Sequence, residues 1–111
     1  MDTSGNFAAI IRQVLQEVAL LTPATEALRP ELVCDEMQGH YHLGEIGWEA
    51  DQRIDTILIH VDIIDGKVWL QYNGTDLRVA EELVRAGIPR DHIVLGFQPP
   101  QMRKYTDYAV A

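Results

Sequence analysis

The stretch IDTILIHVDIIDGKVWLQYN, residues 54–73, decides the fold. Two runs rich in β-branched and aromatic residues flank Asp65-Gly66, a pair that tolerates the positive φ angles of a two-residue type I′ hairpin turn. The pattern therefore predicts two antiparallel strands, Ile54 to Ile64 and Lys67 to Asn73, joined by a tight turn.

The same turn predicts which face of the hairpin each side chain occupies, because residues alternate between the two faces of a strand. The predicted core face is uniformly apolar and consists of Ile57, Ile59, Val61, Ile63, Val68, Leu70 and Tyr72. The other face is mixed, as is typical of the outer face of an antiparallel sheet. The cross-strand pairs predicted there are Asp62 with Trp69, His60 with Gln71, and Leu58 with Asn73.

Upstream of the hairpin, the sequence predicts one helix and two further strands. Apolar residues recur at helical spacing from Phe7 to Leu21, and Pro23 ends that helix because the residue before a proline disfavours helical geometry. Short strand-like runs follow at 31–37 and 41–48.

Downstream of the hairpin, residues 76–86 predict a second helix that ends at Gly87, the residue type preferred after a helix C-terminus. The run 91–97 is too short for periodicity to choose between a strand and a short helix. We therefore predict one α+β domain over residues 1–111, a curved antiparallel β-meander of four or more strands packed with an N-terminal helix and a second helix.

Composition narrows the class of protein. The chain has 111 residues, of which 9 are basic and 17 acidic, for a net charge of −8. This balance weighs against nucleic-acid binding by the chain alone, because such binding depends on Lys and Arg neutralising phosphates. One cysteine excludes an internal disulfide framework, and no apolar run is long enough for a membrane span, so we expect a cytoplasmic protein.

Few residues are candidates for catalysis or metal binding. His40 and His42 lie two apart and would share one face of a strand near acidic residues, but a second ligand pair of the kind typical of zinc sites is missing. Cys34 has no neighbouring histidine in sequence, and nucleotide-binding and nucleophile-elbow motifs are absent. The sequence therefore predicts no catalytic residue, no metal site, no cofactor and no enzymatic activity.

The outer face of the hairpin is the predicted partner-binding surface. Trp69 is a large ring among polar groups, which is typical of partner contacts and equally of a ring covered by a helix or by the C-terminal tail of the same chain. In a chain of this charge, the basic pair Arg103-Lys104 next to Tyr105 favours the rim of a protein contact or plain solvated surface over a nucleic-acid phosphate contact. The candidate partner-binding residues are His60, Asp62, Trp69, Gln71, Asn73, Arg103 and Lys104.

A set of short motifs occurs in a characteristic order: DGKVWLQ at 65–71, NGT at 73–75, GIP at 87–89 and IVL at 93–95. In this combination the chain resembles the XisI family, known as fdxN element excision controlling factor I, from the first helix to the last residue. The resemblance implies a small cytoplasmic protein of cyanobacteria and similar bacteria, linked to developmentally regulated excision of a DNA element. In that family a separate recombinase cuts the DNA, XisI acts beside a nuclease-like companion named XisH, and no catalytic residues are established.

Three functions follow as expectations. The first is a non-catalytic accessory factor for site-specific DNA excision that contacts an XisH-like protein or the recombinase. The second is an antitoxin-like inhibitor whose acidic surface occupies the basic site of a nuclease-like XisH partner. The third is a metal-binding protein or enzyme that uses His40, His42 and an acidic neighbour. A homodimer is also expected, because a small open sheet has exposed edges and the C-terminus is apolar.

Overall fold

The computed structural model describes residues 4–111 and begins with helix α1 (Ser4–Leu21). The helix forms where the sequence predicts the apolar stripe, and it buries that stripe except at Leu21, which is 71% exposed. It ends before Pro23, where the Thr22 hydroxyl donates a hydrogen bond of 2.9 Å to the Val18 carbonyl oxygen. The buried residues of α1 are Phe7, Ile10, Ile11, Val14, Leu15 and Val18.

Five strands form one sheet in the order in which they occur along the chain. They are β1 (Leu28–Asp35), β2 (His40–Glu49), β3 (Gln52–Ile64), β4 (Lys67–Asn73) and β5 (Ile93–Leu95). The first four pair antiparallel, which confirms the predicted meander, whereas β5 pairs parallel with β4 and makes the sheet mixed. A parallel neighbour needs a crossover connection, and helix α2 (Val79–Ala86) provides it.

Helix α2 confirms the predicted second helix but starts at Val79, later than the predicted 76–86. Its end is as expected: Gly87 has a φ of 127°, and the Ile88 amide donates to the Leu83 carbonyl oxygen at 3.0 Å. The undecided run 91–97 contains both alternatives, since a short 3-10 turn (Arg90–His92) leads directly into β5.

The hairpin turn is of the predicted type, with φ of 51° at Asp65 and 79° at Gly66. The register is confirmed from the turn as far as Val61, which pairs with Leu70. Beyond that point the predicted pairs are wrong, because a β-bulge at Gln71 shifts the register by one residue. His60 therefore pairs with Tyr72 instead of Gln71, and Asn73 pairs with Ile59 instead of Leu58.

A second bulge leaves Leu58 without a partner on β2, since Leu43 pairs with Ile59 and Gly44 with Ile57. Each bulge reverses the alternation of side chains beyond it. The predicted core face is therefore wrong at two positions, Ile57 and Tyr72, which are 44% and 49% exposed. The other predicted positions are buried, apart from the half-buried Ile63.

Both helices and one face of the sheet enclose a single hydrophobic core. The sheet contributes seven buried residues to it: Tyr41, Leu43, Ile59, Val61, Val68, Leu70 and Ile93. The half-buried Cys34 packs against this core, on the face of β1 that Tyr41 shares by register. None of the helices within residues 4–111 is long and apolar enough to cross a membrane.

The C-terminal tail docks on its own sheet. After a 3-10 turn (Pro100–Tyr105), the Ala109 amide donates to the Ile93 carbonyl oxygen at 2.8 Å, and Ala109 forms an isolated parallel bridge with Val94. The tail thus covers the edge of β5 and leaves β1 as the strand that is paired on one side. Because the apolar C-terminal segment docks on its own sheet, the edge of β1 is the remaining reason to expect a homodimer.

Candidate functional site

A buried carboxylate lies at the centre of the outer face of the sheet. Asp62 is 6% exposed, and its Oδ1 atom lies 2.8 Å from His40 Nδ1 and 2.8 Å from His60 Nε2. Its second oxygen, Oδ2, accepts a hydrogen bond of 3.1 Å from the Gln71 side-chain amide. We call these four residues, His40, His60, Asp62 and Gln71, the His–Asp cluster.

Three adjacent strands build the cluster. His40 begins β2 directly opposite Asp62 of β3, and His60 lies two residues before Asp62, so all three share one face. Gln71 is the extra residue of the β4 bulge, and bulges characteristically re-aim a side chain. The Gln71 amide also needs Gly96, since a Cβ atom at that position would lie 2.4 Å from Gln71 Oε1.

The charges in the cluster stabilise each other. The hydrogen bond to Asp62 and the charge of that carboxylate raise the pKa of His40. Burial partly opposes this shift, and Asp35 adds a smaller upward contribution to the His40 pKa. Burial would raise the pKa of Asp62, but hydrogen bonds from His40, Gln71 and His60 outweigh it, so the net shift of the Asp62 pKa is downward. An ionised carboxylate with two imidazoles at one oxygen can bind a cation or exchange a proton.

The seven candidate residues divide into different roles. His60, Asp62 and Gln71 come together in the cluster, but Asp62 is buried there and therefore cannot contact a partner directly. Asn73 organises the loop before α2: its Oδ1 accepts from the amide and hydroxyl of Thr75, and its Nδ2 donates to the Leu77 carbonyl oxygen at 2.8 Å.

The chain's own tail covers Trp69. The Arg103 guanidinium lies 5.0 Å from the centroid of the Trp69 ring, and Arg103 Nε donates to the Gln98 carbonyl oxygen at 3.1 Å. Arg103 is therefore a half-buried anchor of the tail, whereas Lys104 beside it is exposed, with its ammonium over Tyr105. Of the two explanations of Trp69, cover by the tail is what the structure shows, although the ring remains partly exposed.

Sequence reasoning missed the contact between His40 and Asp62. The β2–β3 turn is centred on Ala50 and Asp51, and counting back from it by strict alternation places Val61, not Asp62, opposite His40. The bulge at Leu58 corrects this count by one residue. His42 shares a face of β2 with His40, as predicted, and lies opposite His60 on β3. Cys34 packs on the core face of the sheet, opposite to the cluster, and cannot pair with these histidines.

Comparison with known proteins identifies the family. The model of the family described as XisI protein matches residues 1–110 of the chain. The chain belongs to the XisI family.

Two solved structures are similar over nearly the whole chain. A XisI-like protein from Anabaena variabilis ATCC 29413 is 41% identical, with 97% of this chain and 99% of that chain covered and a TM-score of 0.92. The fdxN element excision controlling factor XisI from the same organism is 28% identical, with 99% and 100% covered and a TM-score of 0.84. No protein of curated function matches the chain. The XisI fold therefore extends over both the sheet and the docked tail.

The contact between the C-terminal tail and Trp69 can be tested by replacing Arg103. In a Trp48→Phe background, where Trp69 is the remaining tryptophan, we expect Arg103→Ala to shift the fluorescence emission to longer wavelength and to increase quenching by acrylamide. The loss of the cation–π contact and its hydrogen bonds should lower the free energy of unfolding by about 1 kcal/mol. Lys104→Ala, the matched control, should change neither. Equal spectra for both variants would contradict a covered Trp69.

The His–Asp cluster predicts a pH dependence. The raised pKa of His40 stabilises the fold below its ordinary value of 6.5, and this contribution is lost as the pH rises through the folded-state pKa. The lowered pKa of Asp62 stabilises the fold above 3.8 and is lost as the pH falls through its folded-state pKa. The pair should therefore stabilise the protein most between these two limits.

The measurement is an NMR titration of the histidine rings in buffer with EDTA, together with urea unfolding at several pH values. In Asp62→Asn the pKa of His40 should fall towards its ordinary value, since the remaining neighbours are His60, Gln71 and the more distant Asp35. His92, which pairs with Asp91 elsewhere, is the internal control. A His40 titration unchanged by the substitution would show that Asp62 does not set its pKa.

Proposed function

We propose that the chain is a non-catalytic accessory factor that controls site-specific DNA excision of the fdxN-element type, through contact with another protein in the bacterial cytoplasm. The observation that carries this proposal is membership of the XisI family over residues 1–110. It is supported by the similarity to a protein named fdxN element excision controlling factor XisI, which is 28% identical over 99% of this chain.

We infer that the partner is an XisH-like protein, with a site-specific recombinase as the other possibility. A net charge of −8 is unsuited to gripping phosphates but attracts a basic protein surface over long range. Charge complementarity of this kind speeds association and makes it sensitive to salt. The acidic chain would thus act on DNA indirectly, through a partner protein that binds the DNA.

The outer face of the sheet is the surface we favour for that contact. Trp69, Gln71 and His60 remain partly accessible there, and Lys104 is exposed at the margin. The sheet holds Trp69 rigidly under Arg103, and a rigid aromatic side chain loses little entropy on binding. Asp62 fixes the Gln71 side chain from within the sheet, Arg103 holds the tail over Trp69, and Asn73 fixes the adjoining loop before α2.

The contact is testable with two tryptophan variants. We expect Trp69→Ala to weaken association with a co-purified XisH-like protein by at least tenfold, about 1.4 kcal/mol, as is typical of a central aromatic residue. Trp48→Ala is the matched control, because Trp48 also stacks under an arginine, with Arg53 at 5.4 Å, but belongs to the β2–β3 hairpin away from the cluster. Affinity is measured by calorimetry after nuclease treatment.

Circular dichroism and thermal unfolding separate a lost contact from a lost fold in these variants. Association should also weaken as the salt concentration rises, because screening removes long-range attraction. Full affinity in Trp69→Ala would remove the proposed surface, and equal losses in both variants would show a general effect of truncating a tryptophan.

The acidic surface also favours a second candidate, an antitoxin-like inhibitor of a nuclease-like XisH partner. The net charge of −8 is suited to occupying a basic nucleic-acid site and thereby excluding DNA. Co-expression distinguishes the two functions. An inhibitor should restore the growth of cells in which the partner alone is toxic, and Trp69→Ala should lose that protection. A partner that is harmless when expressed alone would contradict the inhibitor.

A further inference from the structure

We propose that His40, His60 and Asp62 form a binding site for one divalent first-row transition-metal ion of the zinc type. The site goes beyond the proposed function, which requires no metal. It also differs from the pair His40 and His42 that the sequence brought to attention, because the second histidine and the carboxylate come from β3.

The ligand atoms are already close together. His40 Nδ1, His60 Nε2 and a carboxylate oxygen of Asp62 all lie within 4.8 Å of one another, with both nitrogens 2.8 Å from Oδ1. Tetrahedral zinc with bonds of about 2.0–2.1 Å holds its ligand atoms about 3.3 Å apart. Small side-chain rotations reach that spacing, and the His40 side chain is 56% exposed and free to make them.

The donor set selects the class of metal. Two imidazole nitrogens and one carboxylate oxygen suit zinc, cobalt and nickel, whereas calcium and magnesium prefer ligand sets built from oxygen. Catalytic zinc sites likewise often have three protein ligands and leave the fourth position open for water or another group. Here the open position would face solvent on the side of the exposed His40.

The Asp62 carboxylate is held in a fixed orientation, as is typical of a metal ligand. Asp62 is buried, and Gln71 donates to Oδ2 at 3.1 Å, which fixes the carboxylate plane and leaves Oδ1 directed at the two imidazoles. Gln71 itself occupies its position through the β4 bulge and the absence of a side chain at Gly96. Such outer hydrogen bonds orient ligands, and their loss typically lowers metal affinity 10–100-fold.

The test is calorimetric titration of the tag-free full chain, stripped with EDTA, with Zn²⁺ alone. We expect one equivalent to bind, with at least a tenfold loss of affinity in His40→Gln and in His60→Gln. Gln71→Leu, which removes the outer hydrogen bond to Asp62 and leaves all three ligands in place, should lose affinity 10–100-fold. The matched control is His92→Gln, which breaks a His–Asp pair of the same 2.8 Å length on a 3-10 turn and should bind zinc normally.

Ring NMR adds a structural readout, because zinc should be coordinated by Nδ1 of His40 and Nε2 of His60 and should displace the protons that these nitrogens donate to Asp62. Zinc binding that is equally strong in His40→Gln, or equally weakened in His92→Gln, would show adventitious binding to surface histidines and overturn the proposal. Circular dichroism in EDTA confirms that each variant is folded. Partner association measured in EDTA tests the proposed function independently, so failure of one does not imply failure of the other.

Discussion

The buried carboxylate of Asp62 is the constraint on which the outer face of this fold depends. A charge that is removed from water is strongly destabilising unless hydrogen bonds compensate it. The compensation here comes from three strands at once, as His40, His60 and Gln71 donate from β2, β3 and β4. A slip of one residue between these strands would move the donors to the other face, so the buried charge also specifies the register.

Two bulges make this arrangement compatible with the hydrophobic core. The bulge at Leu58 brings His40 opposite Asp62, and the bulge at Gln71 turns that side chain towards the same carboxylate. Both reverse the alternation further along the strands, which exposes Ile57 and Tyr72. Local irregularity in the sheet therefore places the polar cluster on one face without interrupting the apolar face against α1.

The cluster and the docked tail give the outer face of this XisI-family chain two neighbouring features. The tail holds Arg103 over Trp69, and the cluster lies on the adjoining strands with His40 exposed at its margin. A rigid aromatic residue beside polar groups is suited to protein recognition, and an acidic chain is suited to a basic partner. The proposed metal site and the proposed partner surface share this face together with His60, Asp62 and Gln71, whereas His40 belongs to the metal site alone and Trp69 to the partner surface alone.

The sequence by itself determined the elements: the Asp65-Gly66 turn, helix α1, the four antiparallel strands, the glycine after α2 and the family. These features depend on neighbours in sequence, through turn chemistry, periodicity and motif order. Only the tertiary structure decided the two bulges, the parallel pairing of β5, the cover on Trp69 and the contact between His40 and Asp62. A bulge is stabilised by contacts between strands and with the core, so strict alternation, which considers one strand at a time, cannot predict it.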